Sequence, residues 1–432
     1  MTLLFPIVAF LLVLACTVRS LGLGLVAVMA VGYFNGVIRA NYLSPFTTFM
    51  FDFGLLGLYV GFFVARTRDS AGVWATPLGR WALALIVWPV MMVIVPINDY
   101  LVQLVALRAT VWFLPAMLVA SRLRVADLTM IARGLALLNL AALAAGVYVY
   151  QNGVESLYPD NAVTQIIYAS KDVGGGSEYH RIPSTFLSAH AYGGTMMFSL
   201  PFLLGHLFGP RTGAVDRGLM AAGAVAAVGG ILLCAARQPA ATFVLCSLIV
   251  WTVTRFNLAV GALAVGIVAA AALYAGTDER FQRVQSLEDT GMVSDRVSGS
   301  ANASFFDLMA QYPLGAGMGS SSGTSVPFFL ADRAPEAVGL ENEYCRILID
   351  QGLVGLGLWL GFVVWMFRSP PRLRLNAPWG LGVMMMFALC LTNWATAFIG
   401  AGTLSSIPAS VMMLVQMGVL YQADALTRTA RP

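Results

Sequence analysis

Apolar runs follow one another from residue 2 to residue 421, and polar residues gather in short connections and in two long stretches between them. A membrane helix needs about 20 mostly apolar residues. Runs of that kind fall near 2–18, 21–38, 51–65, 81–97, 100–120, 133–150, 186–208, 218–236, 240–254, 257–275, 345–367, 378–397 and 400–421. Several are short, so the pattern predicts an all-α integral membrane protein of about 12–14 transmembrane helices. The whole of 1–432 reads as a single polytopic membrane domain. The opening run Leu3–Val18 lacks the basic start and small-residue cleavage site of a signal peptide, and is read as a span.

The two long polar stretches cover 151–185 and 276–344. Short connections carry arginine instead: Arg66, Arg68 and Arg80; Arg122 and Arg124; Arg211 and Arg217; Arg255; Arg368, Arg372 and Arg374; then Arg428 and Arg431 in the tail. Basic residues in short connections mark the cytoplasmic side. A thirteen-span reading puts all of these on that side, the C-terminus included, and both long loops on the other. The first two runs are the least secure, so the side of the N-terminus stays open. Within the second loop, Phe305, Leu308, Met309 and Tyr312 recur at helical spacing, while Ser304, Asp307 and Gln311 take the opposite face. Residues 303–312 are therefore expected to form an amphipathic helix on the membrane surface or at a cavity mouth.

Composition agrees with lipid as the main solvent: 59% of residues are hydrophobic and 11% charged, far from a soluble domain. The net charge of +4 is spread between spans and forms no basic face, so it does not argue for nucleic acid. Cys16, Cys234, Cys246, Cys345 and Cys390 make no CxxC or zinc spacing, and His180, His190 and His206 lack the spacing of a metal cluster. Lys171 has no GxxxxGK around it, which excludes a P-loop. The glycines of Gly315-Ala316-Gly317-Met318-Gly319 follow a helical pattern rather than a strand, and predict a tight turn that lets backbone approach something closely.

Candidate chemistry lies in the arginines of the loop side. Arg181 precedes a span, Arg237 stands between two spans just before Pro239, and Arg296 sits in the second loop. An arginine near hydrocarbon is costly and marks a site by default, and its planar fork suits phosphate oxygens. These three are expected to converge on one cavity. Arg108, inside the fifth run, either lines the same cavity, snorkels, or pairs with Asp99. Glu341 and Glu343 supply carboxylates at the cavity mouth, with His180 and His190 as other bases; Asn342 and Tyr344 read as hydrogen-bonding supports.

Taken in order, Arg237, Arg296, Pro313 with its glycine turn, Glu341-Asn342-Glu343-Tyr344 and Asp350-Gln351-Gly352-Leu353-Val354-Gly355 resemble the C-terminal signature of the O-antigen ligase and polymerase superfamily, the Wzy/WaaL-like membrane glycosyltransferases. Upstream, Arg181-Ile182-Pro183-Ser184-Thr185-Phe186 resembles the family's arginine with a following small-residue–Phe step, so the detailed match spans 181–365. One departure is informative: Glu341 stands where ligases carry a histidine that handles the acceptor, which favours a polymerase over a ligase.

The resemblance implies a GT-C-like fold in the bacterial cytoplasmic membrane, with its site on the outer face. It implies transfer of a glycan from an undecaprenyl-pyrophosphate donor to a sugar hydroxyl, with membrane lipids and chain-length or export proteins as further partners. Catalytic roles fall on Glu341, Arg237 and Arg181. Substrate binding falls on Arg296, Arg108, His180, Asn342, Glu343, Tyr344, Gly315 and Gly317. No cofactor or metal is required where arginines neutralise the departing pyrophosphate, and a single displacement inverts the anomeric centre. Ligation to lipid A-core and transport of a lipid-linked glycan are the alternatives.

Overall fold

The computed structural model describes residues 2–94, 97–169, 180–209, 212–253, 266, 305–321, 326–335, 342–368, 379–400 and 402–428. Among them the chain is helical throughout, without strands. That is the expected response of a backbone in lipid, where every N–H and C=O must be satisfied within the segment. The run 257–275 apart from residue 266, together with Arg296 and Glu341, lies outside the described residues, as does 170–179 in the first loop.

Six described helices are long and apolar enough to cross a membrane: Leu21–Asn41, Pro77–Ile94, Tyr100–Ala120, Val125–Asn152, Ala214–Leu233 and Glu343–Phe367. A seventh crossing is counted if Met50–Ala65, bent by 90° against Thr67–Ala75, is one span. Leu4–Arg19, Ala241–Thr252, Gly380–Ala395 and Ala409–Tyr421 are shorter apolar helices at the positions of further runs. The protein is thus a multi-pass α-helical membrane protein.

Polar contacts divide the bundle into two ends. At one end, the Arg66 guanidinium donates to the carbonyls of Val18 and Arg19 and pairs with Asp69 at 2.7 Å. Arg124 reaches Asp69, Arg122 reaches the Ala71 carbonyl, and Gln422 donates to Ala120 and Leu123. Arginines of separate connections therefore share one face, as the charge pattern predicts. At the other end, Asn41 donates to the Leu157 carbonyl, Asn161 to that of Ala40, and the Val37 N–H to that of Thr185. This loop face gathers the described part of the first long loop, and Phe329 of the second packs edge-on to Phe49.

Between the faces the helices are held by packing and a few buried polar clamps. Asn139 is fully buried; it accepts from the Tyr33 hydroxyl at 2.6 Å and donates to Ser199 at 2.8 Å, tying three helices together. Four of the five cysteines are buried among this core.

The amphipathic pattern of the second loop folds as Phe305–Gln311. Leu308 is buried, Phe305, Met309 and Tyr312 are partly buried against the core, and Phe306 is 78% exposed, so the apolar stripe faces inward as its spacing predicts.

Candidate functional site

We label the helices that build the loop face α1 (Leu21–Asn41), α2 (Met50–Val60), α3 (Tyr100–Val111), α4 (Ala189–Leu207), α5 (Arg237–Val253), α6 (Glu343–Phe367) and α7 (Gly380–Ala395). The segment leading into α4 carries Arg181. It is pinned from three sides: Tyr158 Oη lies 2.7 Å from the Ser184 and Phe186 carbonyls, Ser184 Oγ donates to Ala142, and the Val37 N–H of α1 donates to Thr185. Ser184 is fully buried with φ 55°. Ala235, two residues before Arg237, has φ 48° and is likewise buried.

A non-glycine residue in this left-handed region costs about 1–2 kcal/mol and persists only where the surroundings over-determine it. Among the described residues three non-glycine positions do this, and two of them flank Arg181 and Arg237. The two corners also meet. Arg181 lies close enough to Cys234 for its charge to act on that thiol, and a Cβ on Gly193 of α4 would overlap Cys234 Sγ and touch Pro239. The start of α4, which follows Arg181, thus packs against the corner that opens α5 at Arg237, while Arg296 is outside the described residues.

On the other flank, Asn342 caps α6, its side-chain oxygen accepting from the Tyr344 and Cys345 N–H groups at 2.9 and 3.2 Å. Tyr344 donates to the Trp394 carbonyl at 2.6 Å. Both are supports, as their residue types suggest. Glu343 is fully buried and its oxygens are engaged: Oε1 takes the Arg346 fork, and Oε2 accepts from the Gly402 and Thr403 N–H groups at 2.7 and 3.1 Å. This geometry assigns Glu343 to holding the loop after α7. The same loop touches α5, since a Cβ on Gly400 would sit 3.0 Å from Gln238 Oε1. One short loop therefore bridges the starts of α5 and α6.

Arg346 lies between two carboxylates, 2.5 Å from Glu343 and 3.8 Å from Asp350. Asp350 in turn accepts from the Gly319 and Ser321 N–H groups at 3.2 Å and from the Ser321 hydroxyl at 2.8 Å. All three side chains are at most 4% exposed. A lone buried charge is strongly unfavourable, so the alternation carboxylate–guanidinium–carboxylate is what permits their burial.

The motif Asp350–Gly355 falls within the apolar run 345–367 and does not open a helix of its own. Instead α6 begins at Glu343 and breaks at Gly352, whose φ of 68° and ψ of −172° are non-helical. The freed backbone groups are taken up by the glycine turn: Leu353 N–H donates to Pro313 at 2.9 Å and Ala316 N–H to Ile349 at 2.7 Å, while Trp88 Nε1 donates to Gln351. A Cβ on Gly315 would meet Gly352 N at 2.8 Å, and one on Gly317 would meet Asn98 at 3.0 Å. The turn closely approaches α6 at Gly315, and the start of α3 with the residues before it at Gly317 and Gly319. The two motifs are halves of one structural unit. Gly352→Ala is expected to destabilise the protein by about 1–3 kcal/mol from backbone conformation alone. Overlap with Leu314, 2.5 Å from the added carbon, increases this. An unchanged thermal unfolding temperature in detergent would show the unit to be dispensable.

Arg108 of α3 does not pair with Asp99. Its Nε and Nη2 bind Asp52 of α2 bidentately at 2.7 and 2.6 Å, with the Phe49 ring 5.3 Å away. Asp99 caps α3 through the Leu101 N–H and faces Arg333. Sequence reading passed over Asp52 and Arg39. The available signal was an ionisable side chain inside an apolar run at Asp52 and one directly after the end of a run at Arg39. His180 packs edge-on to Tyr168 with ring centroids 5.2 Å apart, and its Nδ1 finds no hydrogen-bond partner among the described residues.

The chain matches no known protein-family model, and no curated protein matches it significantly.

Proposed function

We propose that this protein is a polysaccharide polymerase of the cytoplasmic membrane of a bacterium, transferring a glycan from a polyprenyl-pyrophosphate donor to a sugar hydroxyl on the outer face. In this reading about 12–14 helices cross the membrane, the arginine face and C-terminus are cytoplasmic, and the loop face carries the site. The observation that supports it is the packing of the start of α4, just after Arg181, against the corner that opens α5 at Arg237, both reached through costly left-handed backbone conformations. Guanidinium groups fixed in advance stabilise charge on a departing pyrophosphate without reorganising, which is how preorganised donors lower a barrier. The carboxylate that accepts the proton of the attacking hydroxyl is assigned to Glu341, because both oxygens of Glu343 are already occupied. Bond energy of the pyrophosphate link drives the transfer, and single displacement inverts the anomeric carbon.

Two other activities use the same features. A ligase would pass the glycan to lipid A-core; Glu341 in the place of a histidine weighs against it. A lipid-linked glycan transporter is favoured by the break in α6 at Gly352, since broken helices line many transport sites. Deleting the gene and running the surface glycans on a gel separates the three. Single repeat units on the lipid acceptor mean a polymerase. Long chains retained on the lipid carrier mean a ligase, and undelivered single units on the carrier mean a transporter.

A further inference from the structure

On α1, Asn35 and Arg39 stand one turn apart and so share a face. Gly36 between them presses onto the segment entering α4, where a Cβ would come within 2.6 Å of the Thr185 carbonyl. Asn35 and Thr185 are each at most 5% exposed. Asn35 Oδ1, Thr185 Oγ1 and Arg39 Nε are buried, and none has a hydrogen-bond partner among the described residues. Nearly all buried polar atoms in folded proteins are paired, so three orphans at one junction call for a missing partner.

Charge points the same way. The charged groups acting on Arg39 are Arg108 and Asp52, and these two already neutralise each other in a bidentate pair. Arg39 is therefore left without a counter-ion among the described residues, half-buried beside an apolar core, where an uncompensated cation is costly. The helix C-terminus favours a cation there, but supplies no partner for the two neutral side chains. An oxyanion satisfies all three groups: it accepts from the guanidinium, from the Thr185 hydroxyl and from the Asn35 amide, the orphaned Oδ1 and amide nitrogen being interchangeable by rotation of the side chain.

We propose that Arg39, Asn35 and Thr185 form a binding site for a phosphate-type oxyanion on the loop face, and that its occupant is the pyrophosphate of the polyprenyl carrier. The second half of this statement rests on the proposed function above; the first half does not.

The test uses the full chain in nanodiscs of phosphatidylcholine, with native mass spectrometry reading binding of undecaprenyl pyrophosphate, inorganic pyrophosphate and phosphatidylglycerol in separate arms. Wild type is expected to bind the lipid pyrophosphate, Arg39→Met to lose at least tenfold in affinity, and Arg39→Lys to recover part of it, because lysine keeps the charge and loses the fork. Asn35→Leu is expected to weaken binding by a smaller factor. Thermal unfolding of Arg39→Met should be unchanged or raised, since a buried unpaired charge is removed; a fall in unfolding temperature would make Arg39 a structural pin and overturn the site. Binding by Arg39→Met within twofold of wild type also overturns the site, while leaving the proposed function intact. Arg39-dependent binding of inorganic pyrophosphate or phosphatidylglycerol without the polyprenyl lipid keeps the site and removes the carrier as its occupant. Failure of wild type to bind any of the three overturns both.

Discussion

Arg346→Leu is expected to cost about 3–5 kcal/mol of stability, because removing one partner of a buried ionic group strands the others. Glu343 and Asp350, fully and almost fully buried, would lose the cation between them. Leucine matches the space and contributes apolar burial, so the effect isolates the lost charge. Consequences reach beyond α6, since Glu343 holds the Gly402–Thr403 loop and Asp350 holds the Gly319–Ser321 turn. Thermal unfolding followed by tryptophan fluorescence reads it, with Trp359 and Trp394 packed together near the network, their ring centroids 5.4 Å apart. Arg346→Leu combined with Glu343→Gln should recover part of the loss. Wild-type unfolding of the single variant would show that Arg346 is not what permits the burial of the two carboxylates.

The second large effect concerns turnover. If the protein transfers glycans as proposed, Arg237→Lys and Arg181→Lys should each lower the rate by about 10²–10³-fold, the magnitude seen when one preorganised donor at a developing negative charge is removed. Lysine retains the charge, so donor binding should fall much less than the rate, which marks a role in the transition state. The double variant should lose little more than either single one, because groups acting as a unit are not additive. Single-turnover transfer from a lipid-linked repeat unit is the measurement. Wild-type rates for Arg237→Lys and Arg237→Ala together would reduce that arginine to an interfacial anchor.

Much of the fold was legible because a helix in lipid is decided locally. The apolar runs anticipate helices such as Leu21–Asn41, Val125–Asn152 and Glu343–Phe367, since length and hydropathy suffice where no water can satisfy the backbone. Asn342 as a cap and the inward stripe Phe305–Tyr312 follow equally from short-range rules. The shared face of the short-connection arginines follows from charge alone, among those described. For the proposed site, sequence order singled out the stretches that carry Arg181 and Arg237, and the fold packs the helices that follow them against each other.

Tertiary structure decided what each charged group is for. Arg108 is equally able to meet Asp99 or Asp52 by composition; Asp99 is consumed as a helix cap, and α2 offers Asp52 in bidentate geometry. Glu343 looks like a free carboxylate in the chain, yet folding closes both its oxygens. The glycine turn and Gly352 read as separate motifs, thirty-odd residues apart, until the break in α6 needs hydrogen-bond partners that the turn, with Trp88, supplies. Arg39 and Asn35 attract no notice along an apolar helix, and become a candidate anion site only because the segment at Thr185 packs over them and brings no partner. The division has one cause: burial in lipid is a property of each segment by itself, whereas the pairing of a buried charge depends on which segment lies beside it.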